Sequence, residues 1–218
     1  KLEDEGSIFQ TSMDSEVIIH LLAKTPNPDF KQWFVTVLSQ LKGSYSVVFM
    51  VQDVLVGARD PYGNRPLVLG KLGDGYILAS ESCALDLTKA EFVREIEPGE
   101  IVIIKGSKIE SVYLPAHGKV KKAQCIFENI YFARPDSHIF DDNVYLVRKR
   151  LGGLLAKEAP VKNADFVMPI PDSGVYTALG YAVEAGLPYE IGMVRNHYIG
   201  RTFIQPTQFL RDFRVRVK

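Results

Sequence analysis

The chain has 218 residues, of which 46% are hydrophobic and 24% are charged, and its 26 basic residues balance 26 acidic ones. It can bury a sizeable core and, at ~100–150 residues per domain, is expected to hold two units. The zero net charge provides no general attraction to nucleic acid or to an anionic membrane, so neither partner is expected. No apolar run approaches the ~20 residues of a membrane span.

The number of cysteines and the first residues of the chain indicate the cellular compartment of the protein. Two cysteines, Cys83 and Cys125, are too few for a disulfide framework and fit a reducing compartment. No signal peptide is visible, and the chain begins Lys-Leu-Glu, without a methionine, in what reads as a loop. We therefore expect a fragment of a cytoplasmic protein; because the start is missing, a plastid or another organelle stays open.

The first half is predicted to form two helices followed by an antiparallel meander. Residues 12–15 begin a helix, and a second amphipathic helix spans 30–41 and ends at Gly43. From Ser44 the apolar period changes to two, which predicts strands. The strands are 44–51, 54–59, 66–69, 76–80, 92–96, 101–104 and 109–113, with a short helix opened by 81–86 and a positive φ expected at Gly99.

A polar, basic segment, 117–123, separates the two halves. Its lysines are more typical of a solvated linker than of a nucleic-acid contact. The basic residues 211–218 are more typical of a solvated tail than of a nucleotide contact. Beyond 123, strands and helices alternate, which implies a parallel sheet covered by helices. The predicted elements are a strand at 126–132, a helix at 144–158, a strand at 165–170, a helix at 175–185 and a strand at 188–193.

The loop Pro171-Asp172-Ser173-Gly174 follows an apolar run and opens the helix that begins at Val175. The first N–H groups of a helix lack intrahelical partners, and the helix dipole adds partial positive charge, so the loop is a candidate site for phosphate or pyrophosphate. The alternative is that Asp172 or Ser173 only caps the helix.

Asp14 stands at the entrance of the first predicted helix. It could act as the N-cap, which is the common role of aspartate there. It could instead present its carboxylate to the ammonium group of a substrate, since charge-assisted hydrogen bonds are stronger than neutral ones. The residue alone leaves both roles open.

Four separated segments are distinctive: 59–67 (RDPYGNRPL), 97–100 (EPGE), 125–137 (CIFENIYFARPDS) and 196–206 (NHYIGRTFIQP). Each of them resembles a segment of the glutamine phosphoribosylpyrophosphate amidotransferases. The resemblance covers almost the whole chain and implies an α+β part followed by an α/β part. The first, 1–118, would be the later portion of an amino-terminal-nucleophile (αββα) glutaminase-like domain, and the second, 119–218, the beginning of a phosphoribosyltransferase-like parallel-sheet domain.

The resemblance also implies an activity. In this family the first site hydrolyses glutamine, and ammonia passes internally to the second site, where it displaces pyrophosphate from phosphoribosylpyrophosphate. The product is phosphoribosylamine, at the first committed step of purine synthesis. Implied partners are glutamine, phosphoribosylpyrophosphate, Mg²⁺, purine nucleotides as regulators and further copies of the same chain.

Several residues match functional positions of the family. Asp14 matches the aspartate of the glutamine pocket. Pro171, Asp172, Ser173 and Gly174 match the pyrophosphate loop, and Ser173 matches a position in the magnesium environment. A hydroxyl is a hard oxygen ligand, which suits Mg²⁺.

Residues 195–206 match a mobile lid over phosphoribosylpyrophosphate. Arg201 would meet phosphate charge, Tyr198 and Ile199 would wall the ammonia passage, and Gly200 would let the backbone bend. A closed lid would keep water from competing with ammonia. The alternative is an ordinary surface loop.

Cys125 has two roles under the resemblance. Some members bind a [4Fe–4S] cluster through a cysteine at this place, whereas members without a cluster can also have cysteine here. A cluster requires four thiolates and this chain offers one candidate, so the cluster stays open. Cys83 is expected to be a buried, small apolar residue.

The chain departs from the family pattern at both ends. The nucleophilic amino-terminal cysteine, an arginine and an Asn-Gly pair are expected upstream of Asp14, and a ribose-phosphate loop downstream of the lid. We therefore expect an internal fragment that is inactive alone. Alternatives are a non-catalytic scaffold or ligand-binding fragment of the same fold, and a glutaminase joined to a sugar-phosphate isomerase, which would not carry the motifs at 125–137 and 195–206.

Overall fold

The computed structural model describes residues 2–200 and 202–218. The chain forms two compact units: one ends at Glu128 and also takes in Phe132–Asp142, and the other comprises Asn129–Tyr131 and Asn143–Lys218. The domain limits proposed above, with a boundary after residue 118, stay a prediction. None of the helices in the described ranges is long and apolar enough to cross a membrane.

Two helices precede the sheets of the first unit, as predicted. They are α1 (Asp14–Lys24) and α2 (Phe30–Leu38). Asp29 caps α2, because its carboxylate accepts hydrogen bonds from the N–H groups at the start of the helix. The second helix ends at Leu38 rather than at residue 41, and Gly43 beyond it has φ +108°, a conformation that glycine adopts without steric cost.

Two antiparallel sheets follow at the predicted strands, but the predicted single meander is wrong, because the strand at 54–59 pairs with that at 100–105 and not with the next strand along the chain. Their strands are β1 (Ser46–Val51), β2 (Val54–Arg59), β3 (Val68–Leu72), β4 (Gly75–Ala79), β5 (Glu91–Glu95), β6 (Glu100–Lys105) and β7 (Lys108–Tyr113). The first sheet has the order β1-β2-β6-β7 and the second has the order β4-β3-β5. A short helix, α3 (Ser82–Thr88), connects β4 to β5.

Three apolar clusters join these elements into αββα layers, as expected. The first lies between the two N-terminal helices and the first sheet, where Phe34 and Val56 are fully buried. The second lies between the sheets and contains Leu69 and Val102. The third joins the second sheet to α3 through Leu85. The alternation along each strand thus sends neighbouring side chains into different layers.

The remaining elements are a π-helical turn, a short hairpin and three α-helices. The hairpin consists of β8 (His138–Ile139) and β9 (Asp142–Asn143). The helices are α4 (Val144–Glu158), α5 (Val175–Ala185) and α6 (Gln208–Val217). The first two of these helices have the predicted bounds, whereas α6 was not predicted.

Helices α4 and α5 approach each other backbone to backbone. A Cβ atom on Gly152 would lie 1.9 Å from the carbonyl oxygen of Thr177, and one on Gly180 would lie 1.9 Å from the carbonyl oxygen of Lys149. Only glycine fits at these two positions without moving a helix, because both clashing atoms belong to the backbone.

The predicted strand at 126–132 is wrong. Glu128–Phe132 forms a π-helical turn, in which the Ala133 N–H donates to the carbonyl oxygen of Glu128. The burial pattern explains the difference: Glu128 is buried, whereas the apolar neighbour Phe127 is 53% exposed. A buried strand would require the reverse pattern.

The predicted parallel strands at 165–170 and 188–193 are reduced to one parallel bridge between Val167 and Tyr189. Its direction agrees with the α/β arrangement expected for the second half. The ladder does not extend further in the described part of the chain, and Pro169 has no N–H group with which to continue it.

Candidate functional site

The first unit contains a cavity of about 1230 Å³. Its walls come from α1, from the chain that enters β1, from the end of β4 and from the segment after Asn64. Apolar side chains dominate the lining, and its charged groups include Asp14, Arg65, Glu81 and Glu128. An apolar cavity with a few convergent polar groups is typical of a small-molecule site.

Asp14 lines this cavity as the first residue of α1. The N-cap position belongs to Met13, and no side chain caps the helix, so the capping role considered for Asp14 is not what the structure shows. Its side chain is exposed, and within residues 2–200 and 202–218 its carboxylate has no hydrogen-bond or ion-pair partner. The carboxylate is therefore available to a ligand.

Glu16, two residues further, holds the chain that precedes α1. Its carboxylate accepts hydrogen bonds from the Gln10 N–H at 2.8 Å, the Thr11 N–H at 2.9 Å and the Thr11 hydroxyl at 2.6 Å. These bonds, with that from Gln10 strongest, lower the pKa of Glu16 from 4.5 to about 2. Glu16 thus orders the entrance of the helix and leaves Asp14 free, a role that the sequence reasoning missed.

The segment RDPYGNRPL is held by two buried charged residues, Arg59 and Asp60. The Arg59 guanidinium donates to the carbonyl oxygens of Gly63, Arg65 and Ile96 at 2.6–3.1 Å. The Asp60 carboxylate accepts from N–H groups of the same loop. Since so many backbone groups are satisfied, the loop is a rigid support for Arg65.

Arg65 pairs with a buried carboxylate on the cavity wall. Its Nε lies 2.9 Å from Glu128 Oε1, and its guanidinium carbon lies 4.6 Å from the centre of the Phe132 ring. Burial raises the pKa of Glu128, Arg65 opposes that shift and the nearby Glu81 adds to it. The sequence reasoning missed this pair, although a glutamate inside an apolar run was a visible signal.

The EPGE segment is a structural turn. Gly99 has φ +78°, as predicted. Glu100 is fully buried, and its carboxylate accepts from both Arg94 nitrogens at 2.8 and 2.6 Å, from the Glu97 N–H at 2.7 Å and from the Ser111 hydroxyl at 2.6 Å. Burial alone would raise the pKa of Glu100, but these bonds, led by those from Arg94, hold it below its usual value.

The loop 171–174 in the second unit opens α5. Gly174 is the N-cap residue and no side chain caps the helix, so neither Asp172 nor Ser173 has the capping role considered above. A Cβ on Gly174 would lie 2.8 Å from the carbonyl oxygen of Ile170, which requires glycine there. The Pro171–Asp172 peptide bond is cis.

The first N–H groups of α5 are only partly satisfied. The Val175 N–H donates to the Asp172 carbonyl oxygen at 3.3 Å, whereas those of Tyr176 and Thr177 have no partner in the described ranges. The Ser173 side chain is exposed and Asp172 forms an ion pair with Arg195. Open N–H groups, a hydroxyl and a neighbouring guanidinium are what an oxyanion site requires.

The structure describes three of the residues assigned to the lid, Tyr198, Ile199 and Gly200. Tyr198 is 98% exposed, its N–H donates to Asn196 Oδ1 at 3.0 Å, and the Ile199 N–H donates to the Asn196 carbonyl oxygen at 3.2 Å. Gly200 accepts from Lys218 Nζ at 3.5 Å. Arg201 lies outside the described residues. The roles assigned to these residues stay predictions.

The chain offers different donor atoms for the two metal groups considered above, Mg²⁺ and a [4Fe–4S] cluster. Asp172 and Ser173 supply exposed, hard oxygen donors, which fit Mg²⁺. The chain has two cysteines: Cys83 is buried, as expected, and Cys125 is half-buried. A [4Fe–4S] cluster requires four thiolates, two more than this chain contains, and no group of three or more His, Cys, Asp or Glu in the described part could hold a metal ion. The role of Cys125 stays a prediction.

Known proteins match this chain over both the cavity of the first unit and the loop 171–174. Residues 1–87 match the glutamine amidotransferase domain family. The chain is 49% identical to the chloroplastic amidophosphoribosyltransferases of Glycine max, with 99% of this chain and 37% of the relative covered, and of Vigna aconitifolia, with 100% and 44% covered. The chain spans less than half the length of these relatives.

A solved structure has the same fold over nearly all of this chain. It is described as the glutamine phosphoribosylpyrophosphate amidotransferase of B. subtilis complexed with ADP and GMP. It is 45% identical, superposes with a TM-score of 0.88 and covers 97% of this chain and 46% of its own. Over nearly its whole length, therefore, the chain is similar in sequence and in fold to amidophosphoribosyltransferases.

Proposed function

We propose that the full-length protein containing this chain is a glutamine-dependent amidophosphoribosyltransferase. It would convert glutamine, water and phosphoribosylpyrophosphate into glutamate, phosphoribosylamine and pyrophosphate, the first committed step of purine synthesis. The observation that carries the proposal is the 45–49% identity over nearly the whole chain, which includes both candidate regions.

The cavity of the first unit supports the glutamine half of the reaction. Hydrolysis breaks the bond between the amide carbon and nitrogen of glutamine, releases ammonia and leaves glutamate. Asp14 contributes recognition, because its unpartnered carboxylate can accept hydrogen bonds from the substrate ammonium group. We do not place the attacking nucleophile among the residues of this chain.

The loop 171–174 supports the transferase half. The ammonia nitrogen forms a bond to C1 of the ribose as the bond from C1 to the pyrophosphate oxygen breaks. The open N–H groups of Tyr176 and Thr177 stabilise the leaving pyrophosphate, on which negative charge accumulates. When bound, Mg²⁺ would neutralise part of that charge, held by the Ser173 hydroxyl and the Asp172 carboxylate together with phosphate oxygens.

The lid roles complete the proposal. Arg201 meets phosphate charge, Tyr198 and Ile199 wall the ammonia passage, and Gly200 permits closure. Purine nucleotides are proposed as regulators, since the B. subtilis structure is described as complexed with ADP and GMP. Assembly into a homo-oligomer is likewise proposed.

A substitution of Asp14 tests the glutamine half of the reaction independently of the transferase half. In the full-length protein, Asp14→Ala is expected to lower glutamine-dependent pyrophosphate release by about a hundredfold, as two lost charge-assisted bonds of about 1.5 kcal/mol each would do. Release driven by ammonium salts is expected to continue at the wild-type rate. Asp74→Ala, the same substitution at an exposed turn, is the matched control. Equal loss of both activities in Asp14→Ala would contradict the assignment.

A further inference from the structure

Helix α1 has two faces with different surroundings. One face lines the cavity of the first unit and includes Asp14 and Ile18. The other carries Glu16, His20 and Lys24, which are four residues apart and therefore lie one above another on successive turns. This second face contacts the chain that precedes the helix.

The segment 5–11 folds back along that second face. Lys24 Nζ, at the end of the helix, donates to the carbonyl oxygen of Glu5 at 3.0 Å. In the middle of the helix, the His20 ring lies against the Phe9 ring, with 4.5 Å between the ring centres. The segment is therefore held by the helix well before it reaches the helix entrance.

Glu16 fixes the end of this segment to the start of the helix. Its carboxylate accepts from the Thr11 N–H at 2.9 Å, and its Oε1 lies 3.6 Å from His20 Nε2. The Thr11 hydroxyl donates to the same carboxylate at 2.6 Å and accepts from the Met13 N–H at 3.2 Å. One hydroxyl group thus connects Glu16 to the N-cap residue of α1, which directly precedes Asp14.

Asp14 depends on this connection because its side chain has no other support. Its carboxylate has no hydrogen-bond or ion-pair partner within residues 2–200 and 202–218. Asp14 also borders a second, smaller cavity of about 420 Å³, whose lining includes Thr11 and Met13. The position of the carboxylate is therefore set by the backbone that Thr11 and Glu16 hold in place.

We propose that Glu16 and Thr11 are positioning residues of the glutamine site, an inference that rests on the function proposed above. Their hydrogen bonds hold Asp14 where it meets the ammonium group of glutamine. A carboxylate that is already in place loses less conformational freedom on binding, so these residues lower the KM for glutamine. They act on the amino-acid end of the substrate and not on the amide bond that breaks, so kcat is expected to change little.

The test measures glutamine-dependent pyrophosphate release by the full-length protein. Thr11→Val keeps the size of the side chain and removes the hydroxyl, and it is expected to raise the KM for glutamine about tenfold, as the loss of one hydrogen bond to a carboxylate would do. Thr11→Ser keeps the hydroxyl and is expected to have the wild-type KM. The matched control is Thr25→Val, which removes a hydroxyl that donates to the Leu21 carbonyl oxygen at the far end of the same helix.

Glu16→Ala is expected to raise the KM at least as much as Thr11→Val. The double variant should go no further than Glu16→Ala, because the hydroxyl acts through Glu16. The proposal would be overturned by an unchanged KM in Thr11→Val, by an equal rise in Thr11→Ser or Thr25→Val, or by losses that multiply in the double variant.

A purely structural role would have a different signature. In that case the melting temperature of Thr11→Val would fall together with its pyrophosphate release from both glutamine and ammonium salts, and this result would also overturn the proposal. A wild type that forms no phosphoribosylamine from either nitrogen source would instead refute the proposed function.

Discussion

The contact between α4 and α5 gives a direct test of how the second unit positions its anion loop. In Gly152→Ala the new Cβ atom would lie 1.9 Å from the Thr177 carbonyl oxygen, against at least 3.4 Å for an ordinary contact. The two helices would have to separate by about 1.5 Å, the difference of those two distances. Such overpacking costs about 1–3 kcal/mol, and the backbone atoms involved cannot rotate away as a side chain can.

The neighbouring glycine supplies the control. A Cβ on Gly153 would meet nothing closer than the Glu184 carboxylate at 3.7 Å, so Gly153→Ala should gain the full helix-propensity difference of about 1 kcal/mol. Gly152→Ala gains the same helix propensity, so at the upper end of the overpacking range its free energy of unfolding falls by about 2 kcal/mol in total.

Thermal unfolding distinguishes the two variants. At about 2–4 °C per kcal/mol for a chain of this size, Gly152→Ala should melt about 4–8 °C below the wild type and Gly153→Ala a few degrees above it. Differential scanning calorimetry, which resolves a transition of one unit from that of the other, is the suitable assay. Equal melting temperatures for the two variants would show that these helices do not pack through their glycines.

Three further perturbations have expected results. Glu100→Gln should cost about 3 kcal/mol, because it weakens a buried pair. Since the folded-state pKa of Glu100 lies below its usual value of 4.5, its stabilisation is present above that pH and lost as the pH falls through the folded value, so the variant's melting temperature should vary less with acid. For Glu16, a carboxyl NMR titration should give a pKa near 2 in the wild type and a higher value in the double variant Gln10→Pro/Thr11→Ala, which loses two hydrogen bonds and keeps that from the Thr11 N–H. Gly174→Ala should weaken calorimetric binding of Mg²⁺-pyrophosphate to the full-length protein about tenfold, while Gly153→Ala should not; equal affinities would argue against the loop.

Much of the fold could be predicted from the sequence because local signals and packing agree. The structure has α4 and α5 at the predicted residues 144–158 and 175–185, where Asn143 caps α4 and Gly186, in the left-handed conformation, ends α5. Alternation of apolar residues predicted the strands because each sheet divides its side chains between two layers. The positive φ at Gly99 followed from its place in a turn.

The features that could not be predicted depend on contacts that the local sequence pattern does not show. The segment 126–132 reads as a strand because its apolar residues are many, whereas in the structure it forms a π-helical turn in which Glu128 is buried and pairs with the distant Arg65. Likewise, nothing local to Asp14 indicates that Glu16 takes over the organisation of the helix entrance. A carboxylate's freedom to bind a ligand is a property of what surrounds it, and so it becomes visible only in the structure.

The most direct test of the central claim follows one nitrogen atom. The full-length protein is incubated with glutamine labelled with ¹⁵N at the amide, phosphoribosylpyrophosphate and Mg²⁺, and glutamate, pyrophosphate and phosphoribosylamine are quantified by NMR and mass spectrometry. Equal amounts of the three products are expected, with the label in the phosphoribosylamine. Glutamate formed with the label in free ammonium and no release of pyrophosphate would contradict it.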